Sequence, residues 1–149
     1  MAVNEAIVGK DYSALPPYVV GREKVREFAR AVMSTSTLHS DAAAAQSAGY
    51  PDVVAPPTFA VVVQEGALQM LLNDPESGID YSRIVHGDQR FDYSRPIVAG
   101  DELHSSVHVT KVQSLGGHSM VTSETRVTDP TGQHIVTATS TLVVRGDEA

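Results

Sequence analysis

Residues 58–72 read TFAVVVQEGALQMLL, the most hydrophobic helical stretch of the chain. Apolar side chains nearly encircle a helix of this sequence, and only Gln64, Glu65 and Gln69 interrupt them. A helix that is apolar almost all round is a buried helix. The apolar run is too short for a membrane span, which needs about 20 residues. The stretch therefore predicts one central helix over residues 59–72, enclosed by the rest of the fold.

Two helical segments are predicted before this central helix. Apolar side chains recur at helical spacing between Gly21 and Met33, with basic side chains on the other faces. Residues 34–37, STST, break that pattern and suit a turn. A short alanine-rich helix is expected over residues 40–48, and Thr58 is the expected cap of the central helix.

From Arg83 onward the apolar side chains alternate with a period of two. This alternation predicts at least four strands joined by tight turns. His86 and Asp88, two positions apart, are expected on one face of the first of these strands. Helices followed by an antiparallel sheet indicate the α+β class. One long apolar helix before long strands favours a sheet that wraps around that helix.

Composition narrows the class of protein. The 149 residues include no cysteine and carry a formal charge of −7. This length suits one domain over residues 1–149. The lack of cysteine excludes disulfides, thiolate catalysis and cysteine-ligated zinc. The acidic balance argues against nucleic acid or a membrane surface as a partner. No signal peptide or membrane span is recognised, so a cytoplasmic protein is expected.

Three segments occur in an order and spacing that indicate a protein family, at residues 28–50, 54–59 and 86–103. The second reads VAPPTF, and the third opens with HGDQRF. Together they resemble the MaoC-type hydratase/dehydratase branch of the hotdog superfamily, and within it the HadA-type, UPF0336-like subgroup. The resemblance implies a hotdog fold that works as a dimer. It also implies that water is added or removed across the double bond of an acyl thioester, carried by coenzyme A or acyl carrier protein, without metal or cofactor.

The catalytic pattern of this family is only half present. In active members an Asp and a His five residues later do the acid/base work, in a pattern like G-D-x-N-P-x-H. His39 occupies the His position here, but Ser34 stands where the Asp belongs and Met33 where the Gly belongs. A serine hydroxyl is no base near neutral pH without an activating partner. The resemblance therefore implies a subunit whose own pair is incomplete, which shapes the acyl tunnel while a paired hotdog subunit supplies Asp and His.

Thioester binding is expected at the entrance to the central helix. The resemblance assigns it to five consecutive residues, Ala55, Pro56, Pro57, Thr58 and Phe59. Pro57 lies where active members often place a glycine whose N–H points at the thioester oxygen, and proline has no N–H. The amides of Thr58 and Phe59 remain as donors at the helix N-terminus.

Other residues offer alternatives for the missing carboxylate. Asp41 lies two residues after His39, although an acid in the first turn of a helix is the commoner explanation for it. His86 and Asp88 could form another acid/base pair, line an acyl tunnel, or belong to a polar sheet face. Three functions stay open: a dehydratase subunit that needs a catalytic partner, a self-sufficient homodimeric hydratase that uses His39, and a non-catalytic module that binds acyl thioesters.

One surface of this acidic chain is predicted to be basic. Its members lie on the first predicted helix: Arg22, Lys24, Arg26 and Arg30. A carrier protein or the phosphates of coenzyme A would bind to such a face. A solvated helix face explains the same pattern equally well.

Overall fold

The computed structural model describes residues 3–146. Its α-helices are α1 (Arg22–Ala31), α2 (Ala42–Ser47) and α3 (Ala60–Leu72). Its strands are β1 (Asp11–Tyr12), β2 (Tyr18–Val19), β3 (Ile84–Tyr93), β4 (Glu102–Leu115), β5 (His118–Thr128) and β6 (His134–Val144). Single 3-10 turns lie at Glu5–Ile7, Thr37–His39 and Tyr81–Arg83.

The strands form one antiparallel sheet in the order β1-β4-β5-β6-β3, and β2 pairs with another part of β4. The long strands β4, β5 and β6 are joined by two short turns, as the glycine-rich breaks in the sequence predict. Gly116 and Gly117 both have positive φ, 58° and 80°, which is the conformation that a tight hairpin requires. The α+β prediction is confirmed, and the short strands β1 and β2 are additions to it.

Helix α3 packs against the concave side of the sheet. Val63, Ala67 and Leu71 are buried between the helix and the strands. The predicted enclosure is incomplete, because Glu65 and Gly66 are exposed. The sheet curls around only part of the helix, so one side of α3 stays open to solvent. No helix among residues 3–146 has the length and apolar character needed to cross a bilayer.

The start of α3 differs from the prediction in its cap. Phe59, and not Thr58, is the N-cap residue, and no side chain caps this end. Phe59 is fully buried and packs edge-on against Phe28 of α1, with ring centroids 5.4 Å apart. Aromatic burial therefore fixes this helix end where a hydroxyl cap was expected. The contact also holds α1 over the start of α3.

A β-bulge at Gly87 overturns the predicted face of β3. His86 pairs with Leu142 and Asp88 pairs with Thr141, so Gly87 has no partner on β6. Leu142 and Thr141 are neighbours on β6 and face opposite sides of the sheet. His86 therefore lies on the side of α3 and Asp88 on the opposite side. The prediction that they share a face is wrong because the bulge inserts one extra residue.

Candidate functional site

A cavity of about 360 Å³ opens beside the start of α3, where three chain segments meet. The segments are the turn Thr37–His39, the loop before α3 and the end of β3. The cavity is lined by His39, Val54, Ala55, Pro57, Tyr93, Ser94, Arg95 and Pro96. The sequence-predicted His39 thus lies in one cavity with part of the predicted thioester-binding segment.

The five residues predicted to bind the thioester divide into three groups. Ala55 and Pro57 line the cavity. Pro56 and Phe59 are buried beneath it. Thr58 is exposed and lies outside the lining. The loop therefore contributes a wall to the cavity through Val54, Ala55 and Pro57.

His39 is held at the cavity by a pair of hydrogen bonds with the neighbouring loop. The Val54 N–H donates to the Leu38 carbonyl at 2.8 Å, and the His39 ring contacts the Val54 carbonyl through Nδ1 at 2.5 Å. A carbonyl oxygen only accepts, so Nδ1 carries a proton. The neutral ring then keeps its lone pair on Nε2. His39 can therefore accept a proton at Nε2 and return it there.

Ser34 is held in the C-terminal cap of α1 and does not line the cavity. Its N–H donates to the Ala29 carbonyl at 2.9 Å, and the Met33 N–H donates to the Arg30 carbonyl at 3.1 Å. Met33 has a φ of 55°, the left-handed conformation that usually belongs to glycine after a helix. This geometry explains why the family pattern has a glycine at the Met33 position.

Asp41, the first alternative to the missing carboxylate, is the N-cap of α2. Its carboxylate accepts from the N–H groups of Ala43 and Ala44, at 2.9 and 3.3 Å. These bonds direct the carboxylate to the helix start, and Asp41 does not line the cavity of His39.

The predicted pair of His86 and Asp88 is not joined through the carboxylate. His86 Nε2 lies 3.0 Å from the Asp88 backbone carbonyl, to which it donates. His86 belongs to a separate crevice of about 160 Å³ between α3 and β3. Both residues are therefore remote from the cavity of His39, although His86 lines an apolar crevice of its own.

The amides at the start of α3 are only partly available. The Phe59 N–H, predicted as a donor to the thioester oxygen, donates to the Pro56 carbonyl at 2.9 Å. Thr58 N–H has no acceptor within residues 3–146. The Tyr93 hydroxyl donates to the Pro57 carbonyl at 2.5 Å. Burial raises the pKa of Tyr93 to about 12, so this hydroxyl stays protonated and fixes the loop.

Arg95 brings a positive charge to the cavity wall. Two of its guanidinium nitrogens bond to the two carboxylate oxygens of Asp101, at 2.8 and 3.1 Å. Asp101 also accepts from the Val98 N–H at 2.9 Å. This bidentate geometry orients the guanidinium plane. Tyr93 and Ser94 were not predicted as lining residues. The sequence signal at this strand end was Pro96, which marks where the strand stops and not which side chains face a cavity.

The predicted basic face of α1 is largely neutralised. Arg22 pairs with Asp52 at 2.7 Å, and Lys24 pairs with Glu27 at 3.2 Å. Arg26 contacts Glu23. Within the described part of the chain, Arg30 is the one member of this face without an ion pair. In the same residues no group of three His, Asp or Glu side chains is placed to hold a metal ion.

An antiparallel sheet curled around one helix, with a histidine in a cavity at the helix start, defines a hotdog protein of the hydratase/dehydratase class. Residues 6–138 match the family described as FAS1-like, dehydratase domain region. The chain belongs to this family, and its sheet and central helix confirm the resemblance to MaoC-type proteins.

Named relatives agree with this assignment. A UPF0336 protein of Leifsonia xyli subsp. xyli is 60% identical over 98% of this chain and 98% of its own length. The chain is similar to the C-terminally truncated HadBC (3R-hydroxyacyl-ACP dehydratase) complex of Mycobacterium tuberculosis. The sequence identity is 31% and the TM-score is 0.85. The superposition covers 92% of this chain and 96% of the matched chain of that complex. A MaoC-like dehydratase shows 39% identity and a TM-score of 0.88, covering 95% of this chain and 43% of its own.

Proposed function

We propose that this chain is a subunit of a (3R)-hydroxyacyl-thioester dehydratase, or enoyl-thioester hydratase, that binds the acyl thioester and needs a second hotdog subunit for the reaction. The observation that carries the proposal is the composition of the cavity. It contains an imidazole with a free Nε2 but no carboxylate among its lining residues. The reaction needs both a base and an acid, so the cavity holds half of the required pair.

The remaining groups of the cavity suit an acyl thioester. Val54, Ala55 and Pro57 supply apolar walls. The guanidinium of Arg95, on the cavity wall, and the N–H of Thr58, next to the lining residue Pro57, are candidate donors for the negative charge that develops on the thioester oxygen. His39 Nε2 can move a proton beside them. The missing function is that of the carboxylate.

The uncovered parts of the fold support a second subunit. Strand β3 lies at the edge of the sheet, with a row of backbone groups that no other strand within residues 3–146 pairs. Val85 on this edge strand is 47% exposed, and one side of α3 is open. A second hotdog subunit with the complete Asp/His pair would cover this edge. Because this chain has Ser34 where the Asp belongs, that subunit would be a different chain, in a heterodimer.

Mixing experiments test this proposal. The purified chain, a hotdog subunit that carries both Asp and His, and their mixture are each assayed for hydration of a trans-2-enoyl thioester on coenzyme A and on acyl carrier protein. We expect the mixture to form a stable complex and to exceed the summed rates of its parts. A mixture that neither associates nor gains activity would contradict the partner requirement.

The tautomer of His39 favours a second candidate function, a self-sufficient homodimeric hydratase. In that function Nε2 of His39 alone exchanges the proton with substrate. The two functions differ in one measurable respect, because only the second predicts turnover by the isolated chain. A non-catalytic module would bind acyl-coenzyme A saturably. It would show no turnover, either as the isolated chain or in the mixture.

A further inference from the structure

A second group of polar side chains lies where the end of β3 meets the start of β6, and one of its members, Ser94, is among the residues that line the cavity. The Ser94 hydroxyl lies 2.5 Å from Nδ1 of His134, which is not among the lining residues. On the other side of that ring, Nε2 lies 2.8 Å from the hydroxyl of Thr137. A hydroxyl, an imidazole and a third group that orients the imidazole form the arrangement of an activated nucleophile.

The backbone holds this group in place. The Ser94 N–H donates to the Ile135 carbonyl at 2.8 Å, next to His134 in the chain. Thr137 is in the β6 ladder, where it pairs with Asp92 of β3. The hydroxyl and the imidazole therefore approach each other from two hydrogen-bonded strands.

The hydrogen bond between Ser94 and His134 is not forced by burial. Ser94 is exposed and His134 is only half-buried, so water could satisfy both groups. A polar pair that forms where solvent competes, beside a cavity with an adjacent cation, has the features of an acyl-transfer site. The adjacent cation is Arg95, on the same cavity wall.

We propose that Ser94 is a nucleophile that accepts the acyl group of an ester or thioester, with His134 as its base. The thioester as substrate class rests on the proposed function. Ser94 Oγ forms a bond to the carbonyl carbon while its proton passes to Nδ1 of His134. Arg95, the next residue in the chain, is the neighbouring cation that would offset the negative charge developing on the carbonyl oxygen, and its guanidinium is paired with Asp101. The C–S bond breaks, the thiolate takes the proton from His134, and an acyl-Ser94 ester remains.

Water completes the cycle. A water molecule gives a proton to Nδ1 of His134 and adds to the ester carbonyl, and the C–O bond to Ser94 breaks as the proton returns to Oγ. The products are a free acid and the regenerated hydroxyl. This activity hydrolyses an acyl thioester, which is a reaction different from hydration of its double bond.

Reaction with a fluorophosphonate tests the nucleophile without a thioester. The probe forms an O–P bond with an activated serine and releases fluoride, and peptide mass spectrometry locates the label. We expect labelling at Ser94, its loss in Ser94→Ala, and a fall of about tenfold or more in His134→Ala. Ser114→Ala is the matched control, because Ser114 is exposed on β4 and bonded to no histidine within the described residues.

Two further measurements keep the inference falsifiable. The rate of p-nitrophenyl acetate hydrolysis should be lost in Ser94→Ala, fall in His134→Ala and stay unchanged in Ser114→Ala. Circular dichroism and thermal unfolding show that each variant is folded. Thr137 is a positioning residue, because its hydroxyl contacts the His134 ring. Thr137→Ser should keep the labelling rate of Ser94, whereas Thr137→Val should lower it. Labelling no faster at Ser94 than at Ser114, or independent of His134, overturns the inference. Neither probe is a thioester, so such a failure leaves the hydration assays unaffected.

Discussion

His39 has its chemistry set by one backbone carbonyl. The bond from Nδ1 to the Val54 carbonyl leaves the lone pair of the neutral ring on Nε2. The same loop then continues into the apolar wall at Ala55 and Pro57. The apolar cavity wall and the orientation of the His39 ring therefore depend on one short loop.

His39→Ala separates the two candidate functions. Removal of a working general acid or base lowers the rate by about 100-fold or more. If the partner supplies the catalytic pair, the mixed complex should lose much less than this, because His39 then only lines the cavity. The measurement is the hydration rate of the mixed complex at saturating enoyl thioester. A loss of about 100-fold or more in that complex would assign the chemistry to His39.

Met33 is the residue at which the chain departs most clearly from ideal local geometry. Its φ of 55° is unfavourable for a side chain with a Cβ, and the side chain is 85% exposed. Met33→Gly should therefore raise the free energy of unfolding by about 1 kcal/mol. Urea unfolding measures this change. Val32→Gly is the control, because its φ of −93° suits any residue and glycine there should destabilise.

Strand β3 shows at the scale of an element how one residue redirects a surface. A Cβ on Gly87 would lie 3.2 Å from the Thr141 carbonyl oxygen and 3.1 Å from Val143 Cγ2. The carbonyl belongs to the backbone of β6 and moves little, so glycine preserves the close approach at the bulge. The bulge places His86, and not Asp88, beside α3.

Gly87→Ala should lower the free energy of unfolding by about 1 kcal/mol, because the added methyl group crowds the neighbouring strand. Gly66→Ala in α3 is the matched control. A Cβ there meets nothing within 4 Å, and alanine is favoured in helices by up to about 1 kcal/mol. Chemical unfolding should move the two variants in opposite directions, and equal shifts would argue against crowding at the bulge.

An ion pair connects the N-terminal segment to the end of α3. Asp74 accepts from Lys10 Nζ at 2.7 Å and from the Tyr12 hydroxyl at 2.6 Å. These bonds lower the pKa of Asp74 from 3.8 to about 2. A carboxyl whose pKa is lower in the folded state stabilises the fold above its ordinary pKa. That stabilisation is lost as the pH falls through the folded value.

Asp74→Asn should therefore destabilise the protein at neutral pH and have little effect near pH 2. The difference in urea midpoint between this variant and the wild type should shrink between about pH 4 and pH 2. Glu76→Gln serves as the control, since Glu76 also pairs with Lys10 but is 74% exposed and contributes less. A constant difference across this pH range would show that the Asp74 charge is not responsible.

Helices and strands could be predicted from the sequence wherever their apolar side chains recur at regular spacing. The central helix and the four long strands are apolar at regular spacing and were predicted. Strands β1 and β2 have two residues each, which is too few for any period. The bulge at Gly87 has no local signal, because a glycine within a strand suits several conformations.

The site was predictable only where a family pattern covers it. His39, Ala55 and Pro57 follow from motifs that are contiguous in sequence. Ser94 and His134 lie 40 residues apart and meet only because β3 pairs with β6. Their contact depends on sheet register, which alternation within each strand does not specify.

The whole molecule has an open edge and an incomplete site. Strand β3 ends the sheet, one side of α3 is uncovered, and the cavity of His39 has no carboxylate. We propose a single cause for these features, namely that the working unit contains a second hotdog subunit. The family membership shows that the chain belongs to the hydratase/dehydratase family, and the composition of the cavity supports the proposal that it needs a partner.

The rate of hydration by the isolated chain tests this account most directly. The purified chain, with its native mass measured in the same buffer, is mixed with a trans-2-enoyl thioester under single-turnover conditions. We predict that the thioester binds saturably and that no water is added within the time in which the mixed complex completes its turnover. Hydration by the isolated chain at the rate of the mixed complex would contradict the incomplete site.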